Sequence, residues 1–201
     1  MDWQKQNNEV YNQSAERLAT YFASIGARIE DIERGLELAG KTTGARVVEI
    51  GCGDGRDAAE IIKRVGWYEG IDPSEGLLEI ARQKVGNGSF VLANALSYEY
   101  PKDLDIVFAF ASLLHVNRDD IQEVFQKVSR SLHPDGILYL SLKERSDYTE
   151  EIKEDEYGKR MFYYYTPELI EQLAGSAFQA TYLGRQTIGH TDWFTLALMR
   201  T

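Results

Sequence analysis

Eight consecutive residues carry the strongest chemical signal: Glu49-Ile50-Gly51-Cys52-Gly53-Asp54-Gly55-Arg56. Alternate glycines let the backbone approach a ligand more closely than side-chain-bearing residues allow. They follow a β-branched run, Arg46-Val47-Val48-Glu49-Ile50, and precede the helically spaced Ala58, Ile61, Ile62 and Val65. The pattern reads as strand, turn and helix with a ligand at the turn. It is not G-x-G-x-x-G, and it lacks the Gly-Lys-Ser/Thr ending of a phosphate loop. Asp54 sets a carboxylate where pyrophosphate oxygens would lie, so the loop suits a cationic or hydroxylated ligand. Asp72, just ahead of Pro73-Ser74, is a carboxylate at a strand end, a ligand acceptor or else a turn-forming Asp before proline. His115, near the end of another apolar run, suits a base or a substrate-orienting group, or else a helix-flanking side chain bonded to backbone. Cys52 has no evident basic neighbour and reads as a small filler beneath the loop.

These groups need a frame that presents strand ends side by side. Apolar spacing over residues 9–24, and again at Ile29, Ile32, Leu36 and Leu38, predicts two helices ahead of the first strand. Strands are expected at 46–50, 67–72, 89–93, 104–111, 137–142, 179–183 and 193–199. Residues 106–111 show no alternation, as in a strand buried on both faces of a parallel sheet. Ser74, Asn117 and Thr166 are good helix caps, the last with Pro167 at the first helical position. Strands alternating with helices predict a doubly wound, Rossmann-like α/β fold with helices on both faces of a mostly parallel seven-stranded sheet. Residues 184–192 are too few for a crossover helix, so the last strand should run antiparallel. One domain over 1–201 is expected, with a helical cap at 1–43 and the core at 44–201. Residues 144–165 hold seven carboxylates and few apolar residues before Met161, which predicts a mobile connection serving as a lid. Arg160 and Tyr163-Tyr164-Tyr165 would line a substrate cleft or form a sheet edge.

Composition narrows the function classes. The 201 residues carry 22 Lys+Arg against 32 Asp+Glu, a net charge of −10, which disfavours nucleic-acid phosphates and anionic membranes as bulk partners. One cysteine excludes an intrachain disulfide and a Cys-based zinc site; the three histidines lack ligand spacing, so no metal is expected. Met1-Asp2-Trp3-Gln4-Lys5 opens without a secretory apolar region, and the longest apolar stretch is far too short to span a bilayer. A cytoplasmic monomer is expected.

Val47-Val48-Glu49-Ile50-Gly51-Cys52-Gly53-Asp54-Gly55 resembles motif I of the class I S-adenosylmethionine-dependent methyltransferases. The resemblance, to the small single-domain kind similar to methyltransferase type 11, continues in order through Asp72, Asn94-Ala95, residues 105–112 and Leu132-His133-Pro134-Asp135-Gly136. It implies S-adenosylmethionine as cofactor, bound by Tyr11, Glu49, Gly51, Gly53, Arg56, Asp72, Pro73, Asn94, Ala95, Leu96, Ala109 and Phe110. Asp72 would take the ribose hydroxyls, and Gly51 and Gly53 the methionine portion. Arg56 would reach the methionine carboxylate or remain solvated, and Glu49 would orient the loop or the ammonium through water. Many members carry Asp where Asn94 stands; its amide oxygen would accept from the adenine amino group, with Ala95 and Leu96 packing on the ring. Tyr11 would contact the cofactor from the cap, and His115 would serve as base. No (Asn/Asp)-Pro-Pro-(Tyr/Phe) follows the fourth strand, which disfavours adenine N6 and glutamine amide acceptors. A small-molecule acceptor is expected. A protein or tRNA acceptor, or a cofactor-binding protein without transfer, are the alternatives; a nicotinamide oxidoreductase is disfavoured by Asp54 and Arg56.

Overall fold

The structure is a computed structural model describing residues 2–41 and 43–201. Three helices come first, α1 (Trp3–Gln13), α2 (Ala15–Ile25) and α3 (Ile29–Leu38). Asp2 caps α1 by accepting from the Lys5 N–H at 3.0 Å, so helix begins well before the apolar spacing suggested. The single helix expected over 9–24 is two, broken at Ser14, whose hydroxyl donates to the Tyr157 carbonyl at 3.1 Å.

The chain continues as β1 (Arg46–Ile50), α4 (Ala58–Ile61), β2 (Trp67–Asp72), α5 (Glu75–Lys84), β3 (Ser89–Leu92) and β4 (Leu104–Phe110). After a 3₁₀ turn at Leu113–His115 come α6 (Arg118–Ser131), β5 (Leu132–Lys143), β6 (Thr149–Asp155) and β7 (Gly158–Tyr164). The chain closes with α7 (Pro167–Ala174), β8 (Phe178–Ile188) and β9 (Thr191–Arg200). Seven strands form one sheet in the order β3-β2-β1-β4-β5-β9-β8. β1 to β5 run parallel, and β9 lies antiparallel to both β5 and β8. Gly189, at φ 62°, allows β8 and β9 to join in a tighter hairpin than the connection expected at 184–192.

β4 is buried along its whole length, as its unbroken apolar run requires. Its residues alternate between two cores. Val107 and Ala109 pack with Ile121, Val124 and Phe125 of α6 and Ile170 of α7. Ile106 and Phe108 pack with Ile32 and Leu36 of α3 and Ala58 and Ile61 of α4. Each fully buried Leu or Ile contributes about 1.5–3 kcal/mol, and together these layers fix the strand ends at which loops must turn.

Residues 144–165 depart from expectation. β6 and β7 form a paired antiparallel hairpin with Ile152 opposite Met161 and Glu151 opposite Phe162. Met161, Phe162, Tyr163 and Tyr164 are buried. Two of the segment's acids are matched within it, Glu151 by Arg145 and Lys153 at 2.7 and 3.5 Å and Asp155 by Arg160, while Glu144 and Glu156 pair outside it with Arg185 and Arg17. Aromatic burial on β7 offsets the ordering entropy that the acid-rich composition alone would not. The tyrosines at 163–165 join the main core and do not line a cleft.

α1 is fastened to this hairpin. The buried Asn7 side chain accepts from the Met161 N–H at 2.9 Å and donates to the Met161 carbonyl at 3.0 Å, completing the strand edge as a neighbouring backbone would. Asn7→Ala leaves the Met161 amide unpaired and is expected to cost about 1–3 kcal/mol. Urea denaturation of the variant against the wild-type chain measures the shift in midpoint; an unchanged midpoint would show that the clamp contributes nothing.

Candidate active site

The carboxyl ends of β1, β2, β3 and β4 open onto a cavity of about 930 Å³, roofed by α1, α2 and the hairpin. That volume lies in the range of small-molecule sites, about 300–1,000 Å³. Every expected site residue lines it except Ala109, which is fully buried in the core on the α6 side of the sheet and reaches no ligand.

The glycines of the first turn serve different ends. At Gly51 (φ 73°) a Cβ would stand 2.2 Å from Ser112 Cβ, so the end of β4 itself requires glycine there. At Gly53 (φ 54°) a Cβ would meet no protein atom within 4 Å, and the space above the backbone is left to a ligand. The Ser112 hydroxyl lines the same cavity, buried and without a partner. A cradle that a side chain would fill and an orphaned hydroxyl beside it fit a site built around a bound molecule.

Acidic groups converge on this end. Asp72, at the tip of β2, accepts from the Gly53 N–H at 3.0 Å and the Ser74 N–H at 2.8 Å. Burial pushes its carboxyl up to about 6 despite those two bonds. Glu49 is fixed by the Tyr68 hydroxyl, which donates at 2.6 Å. Burial, with Asp57 adding, raises Glu49 to about 8. Asp54 does not wait for a ligand, because Lys84 of α5 takes its carboxylate. Arg56 forks onto Asp57, whose carboxylate also accepts from the Arg28 N–H at 2.8 Å. Arg28 thus enters the cavity beside Arg56 with its Nε unpartnered, a residue that nothing in its local sequence singled out.

Asn94 corrects another expectation. Its amide oxygen already accepts from the Leu96 and Ser97 N–H groups at 2.9 and 2.8 Å, so that oxygen shapes the turn after β3 and is not open to an adenine amino group.

At the other end, His115 is held from both sides. Its Nδ1 lies 2.7 Å from the Met161 carbonyl, which can only accept, so Nδ1 carries the proton. Its Nε2 then accepts from the Tyr11 hydroxyl at 2.8 Å. Arg160 donates to the same Tyr11 oxygen at 3.3 Å. Burial lowers the His115 imidazole to about 3. The expected free base is therefore a neutral ring whose accepting nitrogen is already occupied; it orients Tyr11. Lys143, at the end of β5, stands over the Phe162 ring at 4.0 Å and the Trp193 ring at 5.6 Å. Burial lowers it to about 8, with Lys153 and Arg160 adding. Cation–π contacts contribute about 0.5–2 kcal/mol each, so the rings offset only part of the hydration that this half-buried ammonium gives up.

Among the described residues no group of histidine, cysteine and acidic side chains could hold a metal ion, and no helix is long and apolar enough to cross a membrane.

The sheet order reverses between β1 and β4, and the cavity lies at the strand tips there, the topological switch point at which open α/β sheets bind ligands. Residues 47–136 match the family model described as a methyltransferase domain. The chain is 32% identical over 108 residues to the methyltransferase GfsG of Streptomyces halstedii, covering 50% of this chain and 38% of that protein. It is 30% identical over 101 residues to the trans-aconitate 2-methyltransferase of Rhizobium leguminosarum, covering 49% and 39%. The matches therefore span about two fifths of those relatives. In fold it resembles the magnesium protoporphyrin IX methyltransferase of Synechocystis PCC 6803 solved with bound S-adenosylhomocysteine, at a TM-score of 0.75 and 16% identity over 98% of this chain and 100% of that one. Residues 47–136 thus resemble a methyltransferase domain, and the chain shares the fold of the solved methyltransferase.

Glu49 gives a pH test. Its ordinary value is 4.5, and the folded protein holds it near 8, so between these values the folded state binds more protons than the unfolded one. Its contribution is present below 4.5 and is lost as pH rises through about 8. Asp72 has the same sign between 3.8 and about 6. His115 has the opposite sign, removing stability as pH falls from 6.5 toward about 3. Glu49→Gln, which retains an acceptor for Tyr68, should flatten the decline in urea midpoint between about pH 5 and 8. An unaltered decline would mean that Glu49 is ionised throughout.

Proposed function

We propose that this chain binds S-adenosylmethionine in the cavity and transfers its methyl group to a small-molecule acceptor, as a cytoplasmic monomer of one domain with residues 1–43 as its cap. The observation that carries the reading is the pairing of a buried carboxylate with an open glycine: Asp72 holds the Gly53 N–H while the space over Gly53 is empty of protein. The named relatives and the fold likeness support it. When bound, the cofactor supplies a methyl group already activated on a sulfonium, so the protein's task is placement.

Asp72 uses two of its roughly four acceptor positions on backbone, leaving others for ribose hydroxyls. Glu49 is the acidic group for the ammonium. A cation there would favour its ionised form, so binding near neutral pH releases a proton. Arg28, with a free Nε, is better suited than Arg56 to the methionine carboxylate, because Arg56 is spent on Asp57. Asn94 sets the turn that presents Ala95 and Leu96 to the adenine, with Pro73 and Phe110 as apolar walls. Tyr11 offers its remaining lone pair to the acceptor, held by His115 on one side and Arg160 on the other.

Calorimetry with S-adenosylhomocysteine tests the assignment. Wild-type protein should bind it and not NAD, and Asp72→Ala should weaken binding about tenfold or more. Equal affinity in the variant would remove Asp72 from the ribose. We also propose that the amino-terminal helices and the hairpin close together over the site, since Asn7 of α1, Ser14 at the break and Arg17 of α2 tie them. Hydrogen exchange should then slow in residues 3–13 and 149–164 when S-adenosylhomocysteine is added. Protection confined to residues 51–55 and 72 would mean that the roof does not move with the ligand.

A further inference from the structure

The acceptor end of the cavity carries a charge unlike that of the rest of the chain. Lys143, Lys153 and Arg160 meet there in a protein of net charge −10. Two of them are matched: Lys153 with Glu151 at 3.5 Å, and Arg160 with Asp155 and the Tyr11 oxygen. Lys143, half-buried, has no hydrogen-bond or salt-bridge partner among the described residues; the protein groups facing its Nζ are the Phe162 and Trp193 rings. Trp193 is its register partner on β9, and Phe162 comes from β7, so both rings are set by strand pairing.

Position separates this group from the cofactor. Lys143 ends β5, two strands from β1, which is about 10 Å across the sheet from the glycine loop. His115 and Tyr11 lie between, on the element that follows β4 and on α1.

We propose that Lys143 is the counter-ion for the methyl acceptor, which is a small aromatic carboxylate whose ring packs on Phe162 and Trp193 while its anionic group pairs with the ammonium. The substrate class rests on the methyltransferase reading; the anion site itself does not. Ring faces offset only part of the desolvation of an ammonium, and a carboxylate would complete it. The lowered basicity of Lys143 agrees with a cation kept without its partner.

The test uses benzoate and phenylacetate, with benzamide and phenylacetamide as uncharged counterparts, titrated into the full chain with and without S-adenosylhomocysteine. The acids should bind at least tenfold more tightly than their amides. Lys143→Met should abolish that preference, and Lys143→Arg should keep most of it. Equal binding of acids and amides, no binding of either acid, or a preference that survives Lys143→Met overturns the assignment. If the acid preference holds but S-adenosylhomocysteine does not bind, the cofactor reading falls and the anion site stands.

Discussion

One buried carboxylate organises the ligand end of this protein. Asp72 is only 7% exposed, yet it has just two backbone donors, one from the glycine loop and one from the start of α5. Those bonds bind the first turn of the sheet to the second. The Ser74 beside it caps α5 through Leu77 N–H and donates its hydroxyl to Asn12, which also accepts from Gly76 N–H. The amino-terminal helix is thereby seated on the same cap that Asp72 fixes. Loop, strand tip, helix start and roof are linked through a side chain whose own hydrogen-bonding capacity remains partly unused.

The cavity is electrostatically divided, and β4 is the divider. Glu49 and Asp72 stand at the β1–β2 end, where Arg56 answers Asp57 and Arg28 lies beside it; Lys143, Lys153 and Arg160 gather beyond β4, with Asp155 on Arg160. Opposite charges kept about two strand spacings apart do not neutralise one another, because nearer partners intervene. Such a cleft favours a cationic group at one end and an anionic one at the other, whatever the net charge of the chain. Tyr11 and His115 sit at the boundary as a neutral hydrogen-bonded pair.

The parts legible in the sequence are those decided locally. Unbroken or β-branched apolar runs mark β1, β2, β4 and β5, and caps such as Ser74, Asn117 and Thr166 act as their types require. Alternate glycines marked the ligand turn. What local pattern could not give was partner choice at long range. The hairpin at β6 and β7 looked acidic and loose because its stabilising aromatics lie on the far strand and its charges pair across the turn. Asn94 kept its place, but its oxygen went to its own turn. Asp57 and Arg28, 29 residues apart, meet only when α3 is docked, and Lys143 finds Trp193 only through the β5–β9 register. A cation entering a cavity from a strand end leaves a weak signal, though a lysine that closes the largely apolar run of residues 137–142 is the trace to look for.

The Asn7 clamp has a consequence for how the molecule is made. Its bond to Met161 joins positions 154 residues apart. A ribosome adding about 5–20 residues per second takes roughly 8–30 s to cover that interval. During that time the first helix has emerged without the strand edge it is shaped to complete, and its apolar side must shelter elsewhere. The strands bearing Asp72 and the glycine turn are already synthesised, but the pocket has no finished roof. Ligand capture is therefore a late event in the birth of the chain, postponed until the two distant segments meet.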